Sequence, residues 1–436
     1  MSSIQIAFLA LAGMLALMAI RVPIAISLGL AAFCGMGALL GFSAAFRLLG
    51  SAPFEFGASW ELSAVPLFLL MGNLAYRGGL TSSLFKAARL WLSRLPGGLA
   101  VAANFASAIF AAASGSSMAT AAAMGRLAIP EMLKYRYDPG LATATVAAAG
   151  TLGAVIPPSI MFVLFGWYTE TPIGKLLIAG IIPGILMAGM FAAYIIVRSI
   201  VQPDCAPPPD DAPTWRERFE VLLEVWPSPL LILSVIGGIY SGLTTATEAA
   251  AFGAFAALVI ALVKGGLSWE SLRVCLVDTL HATASLFLIA ISAVILTRFL
   301  AIAGIPDFMG GLVVDMNLGP YGVILFMVIM YVILGCFLDP IGIMLITLPI
   351  LMPMWAAVDL DLIWMGVLVV ILLEVGLITP PVGLNAFVIK SVIGEQVSLT
   401  AIFRGLLWFV LMDLIVIAIL VAFPEISTFL PAFVEH

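Results

Sequence analysis

The sequence predicts an all-α polytopic membrane protein built from two inverted-topology repeats, each with a re-entrant helical hairpin and a broken transmembrane helix. Three observations predict it. The first is composition: 63% of the 436 residues are hydrophobic, only 10% are charged, and mean hydropathy is +1.21. Soluble domains do not look like this. The apolar runs last about 20 residues, which suits helical spans and not the short alternating segments of a β-barrel. The second is charge placement. One threading puts all of the 18 Lys and Arg residues on the cytoplasmic side except Arg47, Lys175 and Arg298, as the positive-inside rule requires. The third is a pair of Pro-Pro interruptions inside apolar runs, GTLGAVIPPS (150–159) and EVGLITPPVGLN (374–385).

The elements follow in order. Residues 4–20 and 23–41 cross inward and back out, with the N-terminus outside; no basic n-region or cleavage site marks a signal peptide. Residues 43–60 read as an interfacial segment and 62–76 cross inward. TSSLFKAARLWLSRL (81–95) is amphipathic and basic, so it should lie on the cytoplasmic surface. Residues 98–130 are apolar but flanked by basic residues on both sides, and they are too short for two crossings of about 20 residues each. A re-entrant hairpin turning at Ser114-Gly115-Ser116-Ser117 fits. Residues 139–168 form the first broken helix and 176–198 return inward. The Pro-rich linker 201–227 divides the chain.

The second half repeats this order. Crossings at 228–243, 249–263 and 281–303 precede another long apolar stretch, 320–353. No Lys or Arg lies between Phe299 and Ile389, so this hairpin should enter from outside and turn near Gly335 to Pro340. The second broken helix is 363–389, and 405–423 crosses last, ending outside. One offset of 223 residues carries Pro130 to Pro353, Gly153 to Gly376, Pro157-Pro158 to Pro380-Pro381, and Ser116 to Asp339. Residues 1–200 and 228–436 are therefore read as two repeats. Each has five crossings, an odd number, so the second copy is upside-down relative to the first, as in many secondary transporters.

Unpaired backbone in hydrocarbon costs several kcal/mol, so irregular chain at mid-membrane must be buried in protein or line a wet cavity. Two hairpin tips and two breaks are such places. Helix N-termini there suit a carboxylate, and carbonyls or helix C-termini suit a small cation. Gly150 and Gly153 are expected to loosen the first broken helix so that carbonyls can swing toward a cation. The side chains are oxygen donors: Ser114, Ser116, Ser117 and Thr120 at the first tip, Thr151 and Ser159 at the first break, Asp339 at the second tip, and Glu374, Thr379 and Asn385 at the second break. Asp339 is the strongest candidate for a cation, since an acid within the membrane is a functional hypothesis by default. Asp413 has no assigned role. Asp278 and His281 lie near the cytoplasmic interface, His436 is terminal, and Glu61 and Glu248 sit at helix starts. The four cysteines are scattered, with no CxxC spacing. Neither Walker A nor HExxH occurs, which disfavours a pump or an enzyme. A passive channel does not suit an inverted repeat with re-entrant hairpins.

AAASGSSMATAAAMGRLAIPEM, GTLGAVIPPS, VGLITPPVGLN and FLDPIGIMLITLPILMP resemble the large membrane subunit of a tripartite ATP-independent periplasmic (TRAP) transporter, a family of the ion-transporter superfamily. The resemblance covers essentially the whole chain. It implies a multi-pass protein of the bacterial cell inner membrane. It also implies Na⁺-coupled uptake of an organic acid, usually a carboxylate, delivered by a periplasmic substrate-binding protein. A small four-helix membrane subunit is the implied partner, here a separate chain, and the implied motion is of the elevator type. For Na⁺ it implies Ser114, Ser116, Ser117 and the segment Gly153, Val155, Pro157, then Gly335, Asp339, Thr379 and Gly383. Ser116, Ser117, Thr120, Ser159 and Asn385 are the expected substrate contacts. The alternative is a stand-alone Na⁺/carboxylate symporter of the same superfamily that works without a binding protein.

Overall fold

The computed structural model describes residues 2–207, 213–336 and 338–433. Part of the linker (208–212), Phe337 at the second tip and the terminal His436 lie outside the described residues. Every element among the described residues is a helix. Among the described residues, six helical segments are long and apolar enough to cross a membrane, including Pro139–Thr169, Ile173–Val201 and Leu399–Ala422. Others, such as Ser3–Ala19 and Ile24–Leu40, have 17 residues each. At 1.5 Å per residue these reach about 26 Å, slightly less than the hydrocarbon core.

A helix–turn–helix stands at the first expected hairpin, and both Pro-Pro pairs interrupt helices. The first hairpin is Gly98–Ser114 and Ser117–Lys134, joined through Gly115 at φ 60°. Its turn therefore falls where the sequence places it, although the second arm runs four residues further. Pro139–Val155 and Ile160–Thr169 flank the first Pro-Pro pair; Leu362–Ile378 and Leu384–Ile393 flank the second. Both Pro-Pro bonds are cis. Two pairs of helices have bounds that differ by 223 residues. Pro139–Val155 and Leu362–Ile378 both have 17 residues, and Ser117–Lys134 and Pro340–Ala357 both have 18. Ser116 and Asp339 are both N-caps of the helices that follow them.

Four expectations change. Gly150 and Gly153 do not loosen the helix; both lie within the regular helix Pro139–Val155, which ends only at the C-cap Ile156. The crossing expected at 281–303 is the end of a 34-residue helix, Trp269–Ile302, which also carries Asp278. No Gly or Pro interrupts that stretch, so nothing ends the helix near His281. The stretch 176–198 is two helices, Ile173–Ala179 and Ile181–Val201, parted at Gly180. An eleven-residue helix, Ile305–Asp315, was not expected; it starts after Gly304, at φ 81°, with Pro306 in its first turn.

The chain divides into two units. The first contains Met1–Trp60, His281–Leu334 and Leu338–Asp361. There Ser3–Ala19 packs on Ile24–Leu40, which packs on Phe42–Gly57, and Ile305–Asp315 packs on Pro340–Ala357. Residues 43–60, expected at the interface, are mostly this helix Phe42–Gly57, with Pro53 inside it. Glu55 forms an ion pair with Arg298, one of the three basic residues placed outside. Gly35 leaves no room for a Cβ beside the Phe299 ring.

The second unit contains Glu61–Leu280, Gly335–Phe337 and Leu362–His436. Its centre is the first broken helix, packed by both arms of the first hairpin, by Leu362–Ile378 and by Leu399–Ala422. Within Pro139–Thr169, 89% of its apolar 18-residue stretch is buried in the protein, against 39% of that in Leu399–Ala422. The first break thus faces protein, which meets the cost of exposing unpaired backbone to lipid. Leu362–Ile378 is equally enclosed, with every residue from Trp364 to Ile378 buried. Toward the cytoplasmic side expected from sequence, the amphipathic segment forms Leu80–Leu92 and packs against Trp215–Val225. Lys86 and Arg89 pair there with Glu224 and Glu131.

Candidate functional site: the first hairpin tip against the first broken helix

The first tip is a helix end turned back on itself. Gly115 caps Gly98–Ser114 in the left-handed region, which a side chain would strain. Ser116 is extended and caps the next helix, its Oγ accepting from the Ala119 N–H at 3.5 Å. Ser114 Oγ lies 2.6 Å from Thr120 Oγ1, so the two hydroxyls close the turn from inside. All of Ser114, Ser117 and Thr120 are buried.

This tip seats directly on the broken helix, backbone to backbone. A Cβ on Gly153 would lie 2.7 Å from the Ser116 carbonyl oxygen and 3.0 Å from Thr120 Oγ1; one on Gly150 would lie 3.1 Å from the Ser117 carbonyl oxygen. These glycines permit close approach, which is their role in place of the loosening expected from sequence. On the far side a Cβ on Gly72 would lie 2.8 Å from Ser114 O. Two oxygens therefore lie beside Gly153, the Ser116 carbonyl and the Thr120 hydroxyl, with the Ser114 hydroxyl against Thr120 Oγ1.

At the break itself the carbonyl facing the tip belongs to Pro158, 2.8 Å from a Cβ placed on Gly115. Sequence reading named Val155 and Pro157 instead. The Val155 carbonyl packs against Gly180, and Pro157 and Pro158 border an apolar crevice with Leu177, Ile178 and Ile239. The glycine in SGSS was the available signal for Gly115–Pro158, but nothing in a linear sequence says which carbonyl it meets. Ser159 is fully buried as the N-cap of Ile160–Thr169, accepting from Phe162 N–H at 3.4 Å. Thr151 Oγ1 donates to its own helix, to Ala148 O.

The second break shows related chemistry. A Cβ on Gly376 would lie 2.7 Å from Gly335 Cα, so this tip also meets its helix through main chain alone. Thr379 Oγ1 donates to Val375 O at 2.6 Å, and Gly383 starts the following helix at φ 51°. Asn385, expected at the substrate, is fully buried and donates to Ala147 O at 3.1 Å, tying the second break to the first broken helix. Asp339 belongs to the first unit, where its Oδ1 accepts from the Gly342 N–H at 2.8 Å. Sequence reading missed one side-chain bond altogether. Ser117 Oγ donates to Glu374 Oε2 at 2.5 Å, joining residues 257 positions apart.

Buried spans, a hairpin and broken helices with converging backbone oxygens define a polytopic helical membrane transporter. The family model for the tripartite ATP-independent periplasmic transporter, DctM component, matches residues 11–426, and the chain belongs to that family as a large permease subunit. It is 37% identical over 404 residues to the C4-dicarboxylate TRAP transporter large permease protein DctM of Pseudomonas aeruginosa, covering 90% of this chain and 93% of that one. It is 31% identical over 372 residues to the ectoine TRAP transporter large permease protein TeaC of Halomonas elongata (85% and 86% covered). It is 30% identical over 379 residues to the sialic acid TRAP transporter large permease protein SiaM of Vibrio cholerae (86% of each). Among solved structures, the Alcanivorax borkumensis YdaH transporter shares the fold, with TM-score 0.61 at 16% identity over 89% of this chain and 91% of that one.

Proposed function

We propose that this permease imports an organic acid, a carboxylate, across the bacterial inner membrane by Na⁺ symport, taking it from a periplasmic substrate-binding protein and working with a small four-helix membrane subunit. The observation that carries the proposal is the seating of the Ser116 carbonyl and the Thr120 hydroxyl on Gly153, with the Ser114 hydroxyl 2.6 Å from Thr120 Oγ1. Hard oxygen donors without a competing thiol or imidazole suit a small cation such as Na⁺. Two helices, Ser117–Lys134 and Ile160–Thr169, begin at Ser116 and Ser159 beside this point, and their N-termini suit a carboxylate. The Thr379–Gly383 segment supplies a second cation position in this reading, and Asp339 is kept separately as a candidate cation ligand.

The matching helix bounds at one offset support two inverted repeats, 1–200 and 228–436, around the linker. Inverted repeats support alternating access, here of the elevator type, with both termini periplasmic. The relatives named for C4-dicarboxylate and sialic acid support the organic-acid class.

Reconstitution tests the whole. Proteoliposomes holding this chain and its small subunit should accumulate the acid only with an inward Na⁺ gradient and the cognate binding protein outside. Strong Na⁺-driven uptake by this chain alone would refute the tripartite assignment, and uptake indifferent to Na⁺ would refute the coupling.

A further inference from the structure

Two acids lie at the heart of the second unit with no basic partner. Glu374, on Leu362–Ile378, and Asp413, on Leu399–Ala422, are both 0% exposed. Glu374 Oε1 and both Asp413 oxygens receive no hydrogen bond among the described residues. Neither carboxylate takes part in an ion pair among those residues. The two helices pack together and both pack on the first broken helix, and Trp364 Nε1 donates to Leu420 O at 3.0 Å across the same pair of helices.

The packing is consistent along the helices. Gly405 meets Gly140 and Ala144, so Asp413, two turns further along, is level with the Gly150 region of the parallel neighbour. Gly150 meets Ser117 O, and Ser117 Oγ binds Glu374. Three oxygen-bearing side chains thus come from three helices at one level. Buried charges are retained when they are paired or ligate a cation, and three unpartnered carboxylate oxygens facing no donor are a ligand set awaiting one. The Ser117 hydroxyl keeps a free lone pair after donating to Glu374.

We propose that Glu374 and Asp413, with the Ser117 hydroxyl of the first tip, form a further Na⁺ site inside the second unit, distinct from the position at the Ser116 carbonyl and Gly153. A single cation satisfies both carboxylates at once and binds three helices together: the second arm of the first hairpin, the second broken helix and the last crossing. The identity of the ion rests on the Na⁺-coupled reading above; the existence of a cation site does not.

The test is a count of bound ²²Na⁺ per chain on the purified permease complex, with the parent, Asp413→Asn, Glu374→Gln and Asp413→Glu. The expected result is one Na⁺ fewer in both amide variants and the parental count in Asp413→Glu, with thermal unfolding confirming folded protein for at least one amide variant. A parental count in a folded amide variant overturns the site. The pair would then be held neutral by protons, which a shift in proton uptake on unfolding would register. The two readings fail separately. Na⁺-driven transport in the parent with an unchanged count in the variants refutes this site only. Loss of one bound Na⁺ in a protein whose transport ignores Na⁺ leaves the site standing and refutes the coupling.

Discussion

Gly153→Ala tests the candidate site most directly. The new methyl would stand 2.7 Å from the Ser116 carbonyl oxygen and 3.0 Å from Thr120 Oγ1. Ordinary contact begins near 3.4 Å, so the tip backbone must retreat by about 0.7 Å. The two nearest obstructing atoms, Ser116 O and C, are main chain in a buried span and cannot swing aside as a side chain could. Overpacking of this kind costs about 1–3 kcal/mol. The displaced atom is also a proposed Na⁺ ligand. If that cost falls on the bound state, a tenfold change per ~1.4 kcal/mol gives roughly a 5- to 150-fold rise in the Na⁺ concentration for half-maximal uptake. The assay is Na⁺-titrated uptake in proteoliposomes, alongside a thermal-unfolding curve with and without Na⁺. A variant that is destabilised without Na⁺ but has the parental Na⁺ dependence would refute the placement of the ion beside Gly153.

Asp339→Asn keeps the N-cap, since Asn and Asp cap about equally well, so unfolding should change little while the Na⁺ requirement of uptake rises; unchanged Na⁺ dependence removes Asp339 from the cation site. Ser117→Ala withdraws the one donor to Glu374 and should destabilise the protein by about 1–3 kcal/mol, read from thermal or denaturant unfolding; stability within 0.5 kcal/mol of the parent, roughly the scatter of surface changes, would show the bond contributes nothing. Gly376→Ala drives a methyl to 2.7 Å from Gly335 Cα and should lower stability by about 1–3 kcal/mol; a melting curve matching the parent would show that the second tip can give way. Asn385→Ala removes the bond to Ala147 O and should both lower stability and, if Asn385 also contacts the acid, raise its KM; an unaltered KM restricts Asn385 to joining the two broken helices.

What the sequence makes legible here is periodicity and its interruption. Apolar length, basic flanks and the two Pro-Pro pairs place the first hairpin turn at Ser114–Ser117 and both breaks, because prolines and glycines act on the residues next to them. Element extent was less legible: Trp269–Ile302 continues through the exposed Asp278 and His281, since neither Gly nor Pro stops it, and the buried Thr279 is met by Asn73 Nδ2 at 3.0 Å. Partners across the fold were not legible at all. Ser117 and Glu374, or Asn385 and Ala147, are each over 200 residues apart, and no local pattern marks them. Gly150 and Gly153 show the limit most clearly. The sequence reveals that these positions lack side chains but not whether the space serves bending or contact, and the answer is contact.

The junctions at Gly153–Ser116 and Gly376–Gly335 are built from main chain, and main-chain atoms do not change when a codon does. A point mutation can alter the hydroxyls and amides around these junctions, but it cannot substitute the Ser116 carbonyl. It can only push that carbonyl aside by putting a side chain on the glycine. At the two junctions it is therefore the glycines that decide whether the main chains can meet, since a side chain there is what displaces the opposing backbone. A family free to vary what it carries would do so through other surfaces, with the junctions inherited intact.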